Sequence, residues 1–162
     1  MIEELLSSET GKLLATFLIS MLPVIELRGA IPVGVGLGIP VWQCFIMSVI
    51  GNFLPVPFIL IFIRRLLRWM KGRKYLGKFA DWLEEKASKN SKKLLKYSAI
   101  GLFFFVSVPF PGTGAWTGAL VAAFLDMRFK YSLPAIFCGV VAAGIIVSLI
   151  CTGVLGALSF ML

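Results

Sequence analysis

Glu26 and Arg28 stand within Pro23-Val-Ile-Glu-Leu-Arg-Gly-Ala-Ile-Pro32, and the stretch from Leu13 to Ile63 around them holds no other charge. An acid or a base at bilayer depth costs roughly 2.5 to 3.5 kcal/mol on insertion scales, so a sequence carrying both has a use for them, as ion path, substrate contact or structural pair. Burial favours the neutral carboxyl and a nearby guanidinium favours the carboxylate, so the proton affinity of Glu26 can switch with access and substrate. Arg28, always cationic, can grip a phosphate or carboxylate with two parallel hydrogen bonds. The alternative is a salt bridge between the two, which an i, i+2 spacing permits only where the helix is broken.

Composition fixes the setting. The chain is 59% hydrophobic and 15% charged, with a mean hydropathy of +0.93; soluble domains are typically about 45 to 50% apolar. This excludes a soluble domain and implies an integral membrane protein. There is no histidine, which removes the commonest general base and metal ligand. Cys44, Cys138 and Cys151 lie in apolar runs without metal or CxxC spacing, as packed thiols do. No nucleophile, base and metal set appears, so an enzyme is not expected, and no cofactor is implied. The first twelve residues carry Glu3, Glu4 and Glu9 and lack the basic start of a signal peptide.

The net charge of +8 reports topology rather than nucleic-acid binding. Twelve Lys and Arg fall between Arg64 and Lys96, and short basic segments stay in the cytoplasm. The chain reads as one membrane domain, 1–162: a first apolar repeat (1–63), a basic cytoplasmic linker (64–96) and a second repeat (97–162). Leu76, Phe79, Ala80, Leu83 and Ala87 recur at helical spacing with Trp69 and Trp82 as interface anchors, which predicts an amphipathic helix on the inner leaflet.

A helix needs about 20 apolar residues to cross the hydrocarbon. Leu13 to Leu37 is interrupted by Pro23, Gly29, Pro32, Gly34 and Gly36, leaving two arms of about ten residues each, or roughly 15 Å of helix. Two such arms predict a re-entrant hairpin broken over Pro23–Pro32. Val41 to Ile63 follows as a full span, kinked by Pro55 and Pro57. The plan then repeats: an arm from Tyr97 to Val108, a break at Pro109-Phe-Pro-Gly-Thr-Gly-Ala-Trp116, an arm from Thr117 to Leu125, and a span within Ser132 to Leu162. With the linker inside, the first hairpin opens outward and the second inward. The fold expected is therefore all-α, two inverted repeats of hairpin plus transmembrane helix, the architecture in which secondary transporters bind substrate between broken helices.

The second break supplies Pro109, Pro111, Gly112, Thr113, Gly114 and Trp116 as candidate binding residues: the glycines admit a ligand close to backbone, Thr113 donates or accepts, and Trp116 stacks on a ligand or fills the core. From the first half, Glu26 is the proton-coupling candidate, Arg28, Gly29, Pro32 and Asn52 are substrate-binding candidates, and Gln43 is a secondary polar one. Gly144, Ser148, Thr152 and Gly156, with Ala135, Gly139 and Ala143, form small-residue stripes for close helix packing, compatible with a homodimer.

At Glu26 to Pro32 and at Pro109 to Trp116 the chain resembles the small multidrug export protein family, and the likeness spans nearly the whole chain. That family looks like a distant relative of the DedA/VTT membrane proteins, which have two opposed re-entrant hairpins and include members implicated in proton-linked transport or in moving polyprenyl-phosphate carriers and phospholipids between leaflets. The resemblance implies a multi-pass protein of the inner or plasma membrane. It would move an amphiphilic substrate, an anionic lipid or a cationic drug, with membrane lipids and protons as partners; the alternative of another class is a non-transporting scaffold. DedA proteins carry arginines in the second hairpin, whereas Phe110 to Thr117 here has no charge.

Overall fold

A computed structural model of the chain describes residues 8–71, 91–110 and 112–161. Among the described residues the fold is all-helical: α1 (Glu9–Met21), α2 (Glu26–Gly36), α3 (Val41–Phe53), α4 (Pro55–Lys71), α5 (Ser91–Ser107), α6 (Ala115–Phe124) and α7 (Phe129–Met161). The segments Val41–Leu66 and Phe129–Gly153 are long and apolar enough to cross a membrane, and the chain is a membrane protein. Leu76, Phe79, Ala80, Trp82, Leu83 and Ala87 of the expected linker helix lie outside the described residues.

Local chemistry explains the boundaries. Ser8 caps α1 by accepting from the Gly11 N–H at 3.1 Å, and Pro23, just past the C-cap Leu22, ends it. The first break is four residues, 22–25, rather than the ten expected, because α2 runs through Gly29, Pro32 and Gly34. Pro32 is exposed and removes only one ladder bond, so the helix passes it. Similarly, the second break closes two residues early, at Gly114, and Ala115 and Trp116 begin α6. The helices α4 and α5 also run into the basic segment, to Lys71 and from Ser91, where Lys and Arg are good helix formers. As expected, the first span is interrupted, at Leu54, where Pro55 starts a new helix.

The second arm of each half ends alike. Gly38 (φ 84) and Asp126 (φ 46) both take a left-handed conformation. Around them Ile39 N–H bonds Gly34 O at 3.1 Å and Met127 N–H bonds Ala122 O at 3.0 Å, the six-to-one bond of a Schellman motif. In both cases the next helix starts three residues later.

The two halves interlock. The α2 and α3 helices pack on α7, and α4 packs on α6, while α1, α2 and α3 pack mutually and α5 packs on α7. Glycines set the approach: a Cβ on Gly34 would lie 2.6 Å from Cys44 Sγ, one on Gly51 would run into Ser20 Oγ and 2.6 Å from Phe17 O, and one on Gly139 would lie 3.0 Å from Phe103 O. Gly144 packs on Phe45 and Val49, so that part of the small-residue stripe holds α7 against α3. Further along, Ser148 and Thr152 line an apolar groove of about 440 Å³ with Trp42 and Leu149.

Candidate functional site

The first turn of α2 delivers two charges to two different helix ends. Glu26 follows the 22–25 turn, its N–H bonded to Leu22 O at 3.0 Å, and it is a non-glycine residue at φ 51. A left-handed non-glycine backbone costs on the order of 1 to 3 kcal/mol and persists only where surroundings enforce it. Here they do: the side chain is only 6% exposed and lies against Gly114, with Oε1 accepting from the Trp116 N–H at 3.4 Å. The carboxyl therefore occupies the N-terminus of α6, where free N–H groups and the helix dipole favour negative charge. Gly114 has no side chain of its own to offer; Thr117 Oγ1 takes its N–H at 2.8 Å.

Arg28 goes to the other side of the same break. Its Nη2 donates to Val108 O at 2.9 Å, Val106 O at 3.4 Å and Thr113 Oγ1 at 3.3 Å, and its Nη1 donates to Phe110 O. Val106 and Val108 carry the carbonyls at the end of α5, Phe110 and Thr113 belong to the turn that follows, and a cation is favoured at such a helix C-terminus. Thr113 lies 2.9 Å from both Val108 O and Phe110 O. Glu26 and Arg28 thus send their hydrogen bonds to different partners, although their opposite charges still attract. They bridge the first half of the chain to the two helix ends that flank 108–114.

Of the residues singled out from sequence, Glu26, Arg28, Thr113, Gly114 and Trp116 meet at this junction. Trp116 sits in the first turn of α6 with its indole N–H buried and without a partner among the described residues. Gly112 forms the turn at φ 88 and is exposed, as is Pro109; Pro111 lies outside the described residues. Gly29 is half-buried against Ile25, and Pro32 lies one turn further along α2, facing outward. Asn52 is fully buried on α3, and Gln43 is half-buried near its start.

Two further cations have matching duties that the residue pattern alone did not reveal. Lys12 Nζ donates to Leu37 O, the C-cap of α2, at 2.9 Å. Arg64 donates to Met127 O and lies 3.5 Å from Ser132 Oγ, its guanidinium 5.9 Å from the Phe129 ring centre. The available signal was position: each is the base nearest the edge of an apolar run, within reach of the loop that ends a short helix.

Among the described residues this is a helical membrane protein in which an acid and a base from one short helix meet a glycine-containing break before another, an arrangement that transporters use to bind substrate. Comparison with protein families adds to this: the family described as "Putative small multi-drug export protein" matches residues 26–146, from Glu26 at the start of α2 through the second break into α7. The chain belongs to that family. No curated protein and no solved structure matches it.

Proposed function

We propose that the protein is a proton-linked secondary exporter of amphiphilic compounds in which Glu26 alternates between a proton and the positive charge of the substrate. The observation that carries this reading is the Glu26 carboxyl, buried in a left-handed backbone at the N-terminus of α6. Proton uptake would neutralise it and weaken its attraction to that helix end, loosening the first half from the second break. A cationic substrate competes for the same negative charge, so proton entry and substrate release exclude one another. In this reading α1–α2 and α5–α6 are re-entrant hairpins of opposite orientation, with the basic segment cytoplasmic. The shared Schellman endings at Gly38 and Asp126 support two related units.

A second reading, translocation of an anionic lipid such as a polyprenyl phosphate, draws on the distant resemblance of the family to DedA/VTT proteins and on Arg28. Its Nη groups are engaged by carbonyls, but its buried Nε has no partner among the described residues. One free N–H offers a single bond to a phosphate oxygen, not the two-bond fork that defines strong anion recognition. The cation reading is therefore preferred.

Reconstitution separates these. In vesicles with an imposed pH gradient, wild-type protein should accumulate a fluorescent lipophilic cation. Glu26→Gln should abolish the response to the gradient while remaining folded. Arg28→Ala should lower stability and rate together. A variant pair that transports like wild type sinks the mechanism, and movement of a labelled polyprenyl phosphate but no cation selects the lipid reading.

A further inference from the structure

Asn52 is fully buried, and among the described residues neither its amide nitrogen nor its oxygen has a hydrogen-bond partner; the same holds for the buried Ser48 Oγ one turn earlier on α3. An unmade bond at a buried polar group costs about 1 to 3 kcal/mol, and a Leu of similar size would avoid it. Two more acceptors lie beside Asn52. Pro55 and Pro57 have no N–H, so the carbonyls of Gly51 and Phe53 lose the donors that a regular helix would supply. The cluster holds the Ser48 hydroxyl and the Asn52 amide, without side-chain partners among the described residues, and two carbonyls deprived of their i+4 helix donor, near the middle of the Val41–Leu66 span.

Its depth matches that of Glu26 by two routes. The α2 and α3 helices are joined by the short turn 37–40 and run antiparallel, with Gly34 against Cys44. Eight residues separate Gly34 from Glu26 and Cys44 from Asn52, so both lie about 12 Å along from that contact. Independently, Gly51 packs on Ser20, at the end of α1 where the chain turns toward Glu26. The other titratable groups on the elements packed around α2 are Arg28 on α2 itself, Glu9 and Lys12 at the far end of α1, Cys44 lower on α3, and Lys130, Tyr131, Cys138 and Cys151 on α7. None of these comes from the turn of α3 that carries Asn52.

We propose that Ser48, Asn52 and the two proline-freed carbonyls bind ordered water beside the α1–α2 turn, and that this water is the proton route to Glu26. Buried waters typically make about three hydrogen bonds to otherwise unsatisfied groups, which this set provides. A hydronium in that water transfers its proton to a Glu26 carboxylate oxygen, leaving water and a neutral carboxyl; the reverse step releases the proton. The water site stands by itself, while its role as a route rests on the proton-linked reading.

The test uses full-length protein in lipid vesicles with Cys44, Cys138 and Cys151 replaced by Ala. Asn52→Cys should react with a small hydrophilic thiol reagent at least tenfold faster than Ile46→Cys, which faces lipid at 45% exposure on the same helix. Equal rates would overturn the site. Should Asn52→Cys fail to fold, Ser48→Cys carries the same comparison. For the route, Asn52→Leu should hold or raise the melting temperature while slowing gradient-driven export at least tenfold; unchanged export removes the route. A wild-type protein that exports nothing defeats the exporter reading, and the labelling ratio still decides the water site.

Discussion

Gly114 has an extended backbone (φ −153, ψ −165), so what its position demands is space rather than conformational freedom. Any Cβ there would occupy the volume of the Glu26 carboxyl. Gly114→Ala and Glu26→Gln should each lower unfolding stability in micelles by about 1 to 2 kcal/mol, the range of a partly buried charge at a helix end. The double variant should cost less than the sum, because each change removes the same contact. Strict additivity would show that the carboxyl and the α6 N-terminus are not coupled. The importance of Glu26 was readable in its cost at bilayer depth, and the backbone access afforded by Gly114 in the glycine-rich break. Their pairing was not: they are separated by most of two apolar segments, and neither periodicity nor spacing carries information across that distance.

At the scale of elements, the helix ends organise the molecule. Lys12 satisfies the end of α2, Arg28 the end of α5, Arg64 the loop after α6, and Glu26 the start of α6. Lipid supplies no hydrogen bonds, so if the proposed hairpins are re-entrant their helix ends need such partners. Their lengths and the proline interruption of α3–α4 follow from apolar runs and Pro positions. The extent of the first break does not, since a proline on an outward face is compatible with a helix or a turn, and packing decides. Close approach of α1 and α3 gives a further prediction. Gly51→Ala would press on the Phe17 carbonyl and on Ser20, whereas Gly144→Ala meets the edge of the Phe45 ring, 2.7 Å from Cε2. A ring can turn aside and a carbonyl cannot. Gly51→Ala should therefore lower stability by about 1 to 3 kcal/mol and Gly144→Ala by less, measured as thermal unfolding; the opposite order would contradict this packing.

For the whole molecule, the charge asymmetry makes the proposed orientation testable. A cysteine introduced at Lys89, in the basic segment, should react only with impermeant reagents applied from the cytoplasmic side; modification from outside would invert every hairpin in the proposed scheme. The all-helical build and the two long apolar segments were legible in apolar run length. The interlocking of the halves was not, as it depends on which faces of α2, α3 and α4 find α6 and α7.

Interlocking also has a consequence in time. Trp116 lies 90 residues after Glu26, and Phe110 82 residues after Arg28. At a synthesis rate of about 5 to 20 residues per second, both charges leave the ribosome roughly 4 to 18 seconds before their partners exist. During that interval the first half must carry an acid and a base with no helix ends to receive them. The second half then arrives as the solvation shell that the membrane could not provide.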